Sequence, residues 1–170
     1  MLAVRRVALS DRLLQSAGRL SRAKMRFWPD ANRIEAALPY IGKRRAQPTM
    51  RIFIAEDSAL IAERLADLLS NIRGLELVGQ ATNVRAAALS IQQLDPDVVI
   101  LDLKMPDGIS LDLLEALKKH KPATVVIVFT ALASPQIRRR CTESGADFFL
   151  DKSTDFETLP SILEALVENS

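Results

Sequence analysis

From Met50 onward, short apolar runs alternate with segments of helical periodicity, and that alternation leaves few folds open. Arg51–Ala55 reads as an apolar strand. Ile61, Leu65, Leu68, Leu69 and Ile72 then recur at helical spacing, with Gly74 placed to cap that helix. Leu75–Val78 alternates like a strand with one covered face, and a second helix runs from Val84 to Leu94, stopping before Asp95-Pro96. Val98–Leu101 is a third apolar run. Ser110 is expected to cap a third helix bearing Leu113, Leu114 and Leu117, which ends before Lys121-Pro122. Val125–Phe129 is apolar at every position, as expected of a strand with helices over both faces. Ser134-Pro135 starts a fourth helix that ends near Gly145. Phe148–Leu150 is the fifth strand. Thr154-x-x-Glu157 resembles a capping box for a last helix whose stripe is Leu159, Ile162, Leu163 and Leu166. Pro160 is tolerable only near the start of that helix. Five strands alternating with five helices predict an α/β fold, a doubly wound parallel sheet.

Residues 1–49 differ in kind. They carry eleven of the 23 Lys and Arg but only three of the 21 Asp and Glu, so the overall charge of +2 describes neither half. Leu13–Leu20 and Ile34–Ile41 read as short weak helices, and 42–49 as a basic linker. The division expected is a basic extension at 1–49 and a structured body at 50–170, with Met50 as the native start. In composition the extension resembles both an Arg-rich organellar presequence and upstream sequence translated by accident. The acidic body does not suggest nucleic-acid binding, and only Phe27, Trp28 and Tyr40 of the basic arm offer stacking surfaces. A single cysteine, Cys141, excludes an internal disulfide framework and fits a reducing, cytoplasmic setting. Its helical spacing with Ile137 and Ser144 reads as packing. No apolar stretch approaches the roughly 18–20 residues of a membrane span.

In open sheets of this type the site lies beyond the carboxyl ends of the strands. That rule gathers Glu56 and Asp57 after the first strand, Asp102 after the third, Thr130 ending the fourth and Lys152 after the fifth. Three carboxylates suit a hard divalent cation such as magnesium, which takes oxygen ligands. Asp57 and Asp102 are candidate direct ligands, Glu56 a direct or water-mediated one, and the Lys104 carbonyl a further one. With its charge offset, Asp102 stays ionised and can attack phosphorus to form an acyl phosphate. Lys152 and the Thr130 hydroxyl are then placed to stabilise the transferred oxygens, as phosphoryl transfer requires.

This part of the chain resembles a response-regulator receiver domain. The resemblance covers Met50 to Ser170 and rests on Glu56-Asp57, on Asp102 in Leu-Asp-Leu-Lys-Met-Pro-Asp-Gly, on Thr130-Ala131 and on Lys152, in order and at similar separations. It implies a flavodoxin-like sheet of strand order 2-1-3-4-5. It implies that Asp102 is the phosphoacceptor, that Glu56, Asp57, Asp102 and Lys104 hold Mg2+, and that Lys152, Thr130 and Ala131 bind the phosphoryl group and switch. Phe149 matches the aromatic that follows the switch hydroxyl inward. The implied donor is a phosphohistidine on a sensor histidine kinase or phosphotransfer protein. The implied output is altered affinity of the face formed by the fourth helix, fifth strand and fifth helix, for an unknown partner or a second copy. Two departures stand out. Ser153 replaces the proline that often follows the lysine, and a non-proline cis bond costs about 2.5–4 kcal/mol, so the sequence leaves the Lys152–Ser153 isomer open. Phe149 lacks the hydroxyl of the tyrosine often found there, which removes a hydrogen-bond readout.

Since the sequence stops at Ser170, the expectation is a stand-alone receiver that signals through protein contacts or relays its phosphoryl group, not an enzyme in the ordinary sense. Two other classes remain in view: a phosphorylation-independent interaction module, and a nucleic-acid effector acting through the basic arm. His120, closing a basic run, reads as a helix C-terminal residue favoured by the dipole. Arg138–Arg140 reads as a solvated helix face, with an acidic partner as the second reading.

Overall fold

The computed structural model describes residues 49–170. The weak helices, most of the linker and the aromatic residues assigned to the extension lie outside the described residues. The body begins with β1 (Met50–Ala55), α1 (Ala59–Ser70), β2 (Leu75–Ala81), α2 (Val84–Leu94) and β3 (Val98–Leu101). A short antiparallel ribbon, Lys104–Met105 against Gly108–Ile109, leads into α3 (Leu111–His120). β4 (Val125–Thr130), α4 (Pro135–Glu143), β5 (Phe148–Asp151), a single 3-10 turn at Phe156–Thr158 and α5 (Leu159–Glu168) complete it. All five strands are parallel, in the order β2-β1-β3-β4-β5. This is the expected five-stranded, doubly wound sheet.

The two-residue period of a strand sends alternate side chains to opposite faces. Phe53, Ala55, Val99, Leu101, Val126 and Val128 pack with Ala87 and Ile91 of α2, with Leu113, Leu114 and Leu117 of α3, and with Cys141 of α4. Ile52, Ile54, Val98, Ile100, Ile127 and Phe129 pack with Leu65 and Leu69 of α1 and Leu159 and Leu163 of α5. Each Val, Leu, Ile or Phe among them contributes roughly 1.5–3 kcal/mol when fully buried. Val126 to Thr130 are all buried, which accounts for a strand without polar alternation. Gly79 marks a close approach. The β1–β2 register slips by one residue there, and a Cβ would lie 2.7 Å from Leu94 Cδ1 and 3.1 Å from Phe53 Cε2. Among the described residues no helix is long and apolar enough to cross a membrane.

Three local expectations are corrected. Helix α1 ends at Ser70 with Asn71 at its cap, so Ile72 lies past the helix, and Gly74 takes its left-handed φ of 86° in the turn beyond. Ser110 precedes α3 but makes no capping bond, because its buried hydroxyl is drawn to the Asp102 carbonyl instead. Thr154 and Glu157 form no capping box. Phe156–Thr158 tightens into the 3-10 turn, α5 starts one turn late, and the Thr154 hydroxyl donates to Asp155. Pro160 falls within the first turn of α5, where its missing N–H costs nothing.

Asp107, in the turn of the ribbon, accepts from the backbone N–H groups of Val84 (2.7 Å) and Arg85 (3.0 Å) at the start of α2. These bonds hold its carboxyl below the ordinary value of 3.8. A depressed acid pKa stabilises the fold above the unfolded value, and that contribution is lost as pH falls through the folded value. Asp107→Ala is therefore expected to lower the melting temperature by a few degrees at neutral pH. In a thermal series, the gap to wild type is expected to close as pH drops below 3.8.

Candidate functional site at the strand ends

The sheet order reverses between β1 and β3, and in open α/β sheets ligands bind at such a switch point, beyond the carboxyl ends of the strands. β1 and β3 are hydrogen-bonded neighbours, with Ala55 paired to Leu101. The next residue of β3 continues that ladder, the Asp102 N–H donating to the Ala55 carbonyl at 2.9 Å. Glu56 is tied the other way, its N–H donating to Ala81 of β2 at 2.9 Å. Strand pairing thus sets the carboxylates side by side. Oxygens of Glu56, Asp57 and Asp102 all lie within 4.8 Å of one another.

Glu56 and Asp102 are buried, whereas Asp57 is exposed. Between the two buried acids reaches Lys152, which follows β5. Its Nζ lies 2.6 Å from Asp102 Oδ2 and 2.6 Å from Glu56 Oε2. The Lys152 side chain is only 11% exposed, so these are screened little by solvent. Burial pushes the Glu56 carboxyl above its ordinary value, while the bond and charge of Lys152 and the Ser58 N–H (3.1 Å) oppose that. The remaining oxygen of Asp102, Oδ1, accepts from the Lys104 N–H at 3.2 Å. Ser110 fixes the Asp102 backbone through its carbonyl.

Thr130 ends β4 fully buried, and its Oγ1 accepts from the Leu132 N–H at 3.2 Å. The Lys152 N–H donates to the Thr130 carbonyl at 3.1 Å, which ties the lysine's backbone to the end of β4. Ala131 follows at the exposed turn. Every peptide bond among the described residues is trans, Lys152–Ser153 included. Phe149 lies three residues back along β5, half-buried and held by α4. The Arg138 guanidinium stands 4.4 Å above its ring, and Arg138 Nη1 donates to the Phe149 carbonyl at 3.0 Å. Arg139 pairs with Glu143 on the exposed side of α4. Cys141 is fully buried and its thiol is pushed up by burial, which fits a packing role.

The fold therefore brings Glu56, Asp57, Asp102 and Lys152 together, sets the Lys104 amide on Asp102, and places Thr130 and Ala131 at the adjoining strand end. Three participants have no counterpart in the sequence reading of the site: Ser110, Asp107 and the part of Arg138 in holding Phe149. Asp107 stands in the quoted motif, yet its partners are 22 and 23 residues away. No local pattern announces such a bond. The donor set of three carboxylates fits a hard divalent cation, since it offers oxygen alone and a charge cluster that a cation would relieve.

Comparison with known proteins places the fold in a family. Residues 52–164 match the family model described as the response regulator receiver domain. The chain is 33% identical over 119 residues to a transcriptional regulatory protein of Bacillus subtilis, covering 70% of this chain and 60% of that protein. It is 36% identical over 115 residues to a protein-glutamate methylesterase/protein-glutamine glutaminase of Methylobacillus flagellatus, covering 67% of this chain and 30% of that one. The isolated receiver domain of RcsB from Salmonella enterica serovar Typhimurium superposes with a TM-score of 0.66 at 27% identity, over 71% of this chain and 89% of that chain. The response regulator domain of Thermotoga maritima CheB gives 0.62 at 25% identity, over 71% and 95%.

Proposed function

Because the chain belongs to the response regulator receiver domain family, whose members act in phosphoacceptor signalling, we propose that Asp102 is its phosphoacceptor. The observation that supports this most is the single grouping of an ion-paired, nearly buried carboxylate at Asp102, two further carboxylates within 4.8 Å, and the Lys152 ammonium 2.6 Å from Asp102 Oδ2. An oxygen of Asp102 attacks phosphorus of a phosphohistidine. The P–N bond breaks, an acyl phosphate forms, and the histidine leaves. Water later cleaves the acyl phosphate and restores the carboxylate.

Glu56, Asp57 and Asp102, with the Lys104 carbonyl, would hold magnesium, which when bound offsets negative charge on the transferred oxygens. Lys152 keeps the acid pair from repelling before transfer and offers its ammonium to the phosphoryl oxygens after it. Thr130 presents its hydroxyl from the adjacent strand, and Ala131 supplies the backbone turn behind it. Phe149 lies on β5 and Lys152 follows that strand directly, so a change in the lysine's partner is passed along β5 to the ring that Arg138 covers. That makes the α4–β5–α5 face the proposed output surface, read by a protein partner or a second copy. The proposed donor is a sensor histidine kinase or a histidine phosphotransfer protein. The body at 50–170 is the proposed receiver unit, with 1–49 a basic extension to it.

The test uses the full chain, magnesium and a small acyl phosphate, followed by intact mass. One added phosphoryl group is expected. Chelating magnesium with EDTA is expected to slow addition by roughly tenfold or more, since Lys152 alone then offsets three carboxylates and the incoming phosphoryl oxygens. No added mass in magnesium would sink the phosphoacceptor role.

A further inference from the structure

After its cap residue Asn83, helix α2 begins with Val84, Arg85 and Ala86, whose N–H groups have no partner within the helix. Asn83 satisfies that of Ala86 at 2.8 Å. The other two, Val84 and Arg85, are taken by the two oxygens of Asp107 at 2.7 and 3.0 Å. The helix therefore receives two-thirds of its first-turn capping from the loop that leaves Asp102. A carboxylate gripping two adjacent N–H donors is fixed in orientation as well as position, and the positive end of the helix dipole favours it.

Asp107 sits at the tip of the two-stranded ribbon, where Met105 pairs with Gly108. The base of the ribbon is held at Asp102, by the Lys104 N–H on Oδ1 and by the Ser110 hydroxyl on the carbonyl. The tip is held by the bonds of Asp107 to α2, a helix anchored on the sheet by the fully buried Ala87 and Ile91, and by Met105, which is buried in the same core cluster. At 3.2 Å the Lys104 bond is near the limit of a good hydrogen bond, so a small shift of the ribbon breaks it. That bond turns one oxygen of Asp102 toward the ribbon and leaves the other for Lys152.

We infer that Asp107 is a positioning residue for phosphoryl acceptance: by clamping the ribbon tip to α2, it keeps the Lys104 amide on Asp102 and so orients the attacking carboxylate. This rests on Asp102 being the acceptor. It is separable from a plain capping role, because Asn83 caps the same turn through the Ala86 N–H and its side chain makes no hydrogen bond to the ribbon among the described residues.

The experiment compares Asp107→Ala, Asp107→Asn and Asn83→Ala in the full chain. Two quantities are read: hydrogen exchange at the Lys104 and Ser110 amides by NMR, and the initial rate of phosphoryl addition from a small acyl phosphate with magnesium. Asp107→Ala is expected to speed exchange at both amides and slow addition roughly three- to tenfold, less than the ~100-fold a ~1 Å misplacement can cost. Asp107→Asn, retaining one acceptor oxygen, is expected to fall between, and it serves if the alanine variant does not fold. Asn83→Ala is expected to lower the melting temperature while both quantities stay within twofold of wild type. Wild-type exchange and rate in Asp107→Ala, or equal changes in Asn83→Ala, would overturn the positioning role. A wild-type chain that accepts no phosphoryl group overturns the acceptor assignment instead, and the exchange data then still decide whether Asp107 fixes the ribbon.

Discussion

Asp102→Asn is expected to abolish phosphoryl addition from a small acyl phosphate, with the folded chain retained. The Asn amide fills the same volume, and its single oxygen can accept from the Lys152 ammonium that now meets Oδ2, at the cost of the Lys104 N–H bond to Oδ1. What disappears is the ionised carboxylate, the only group at this position able to attack phosphorus. Lys152 keeps Glu56 as an ion-pair partner at 2.6 Å, so the substitution does not strand its charge. Because one of three neighbouring acids is neutralised, little stability should be lost, and the melting temperature is expected within a few degrees of wild type. Intact mass before and after incubation gives the outcome directly. Equal phosphoryl incorporation in the variant would move the acceptor to another residue.

Leu114→Ala is expected to show the largest loss of stability, about 2–5 kcal/mol in chemical denaturation. Leu114 is fully buried on α3, in the cluster that joins α2, α3 and α4 to the sheet face of Val99, Leu101 and Val128. Removing its branched end leaves a cavity between rigid neighbours, and the lost contacts are not replaced by water. Against a typical total of roughly 5–15 kcal/mol, that is a large fraction. Below the shifted midpoint, phosphoryl addition should persist, because no group touching Asp102 is altered. The pair of variants therefore separates the two properties: one loses chemistry and keeps the fold, the other weakens the fold and keeps chemistry. A loss under 1 kcal/mol for Leu114→Ala would show that the α3 interface collapses freely, contrary to its packing.

The alternation of apolar runs was legible because each run is governed by local period. Val84–Leu94 has the same bounds in the sequence pattern and in α2, since Asn83 caps it and Pro96 forbids continuation. The Ser134 cap also reads correctly, its hydroxyl accepting from Ile137 at 3.3 Å. Capping failed where a side chain had a stronger distant competitor. Ser110 looks like a helix start, but a buried hydroxyl beside an unshared carbonyl goes to the carbonyl. The Thr154 box failed because Asp155 turns back to the Asp151 N–H and tightens the loop before α5.

By itself, the sequence determined the class of fold, the strand ends where the chemistry gathers, and the oxygen-rich set that suits a hard cation, because strand and helix periods and residue type are local properties. Only the tertiary structure decided that Lys152 stands between Glu56 and Asp102, that Arg138 lies on Phe149, and that Asp107 ties the acceptor loop to α2. Those contacts join residues far apart in the chain. They depend on which strands are neighbours and how the helices sit on them, and no periodicity along one segment encodes that.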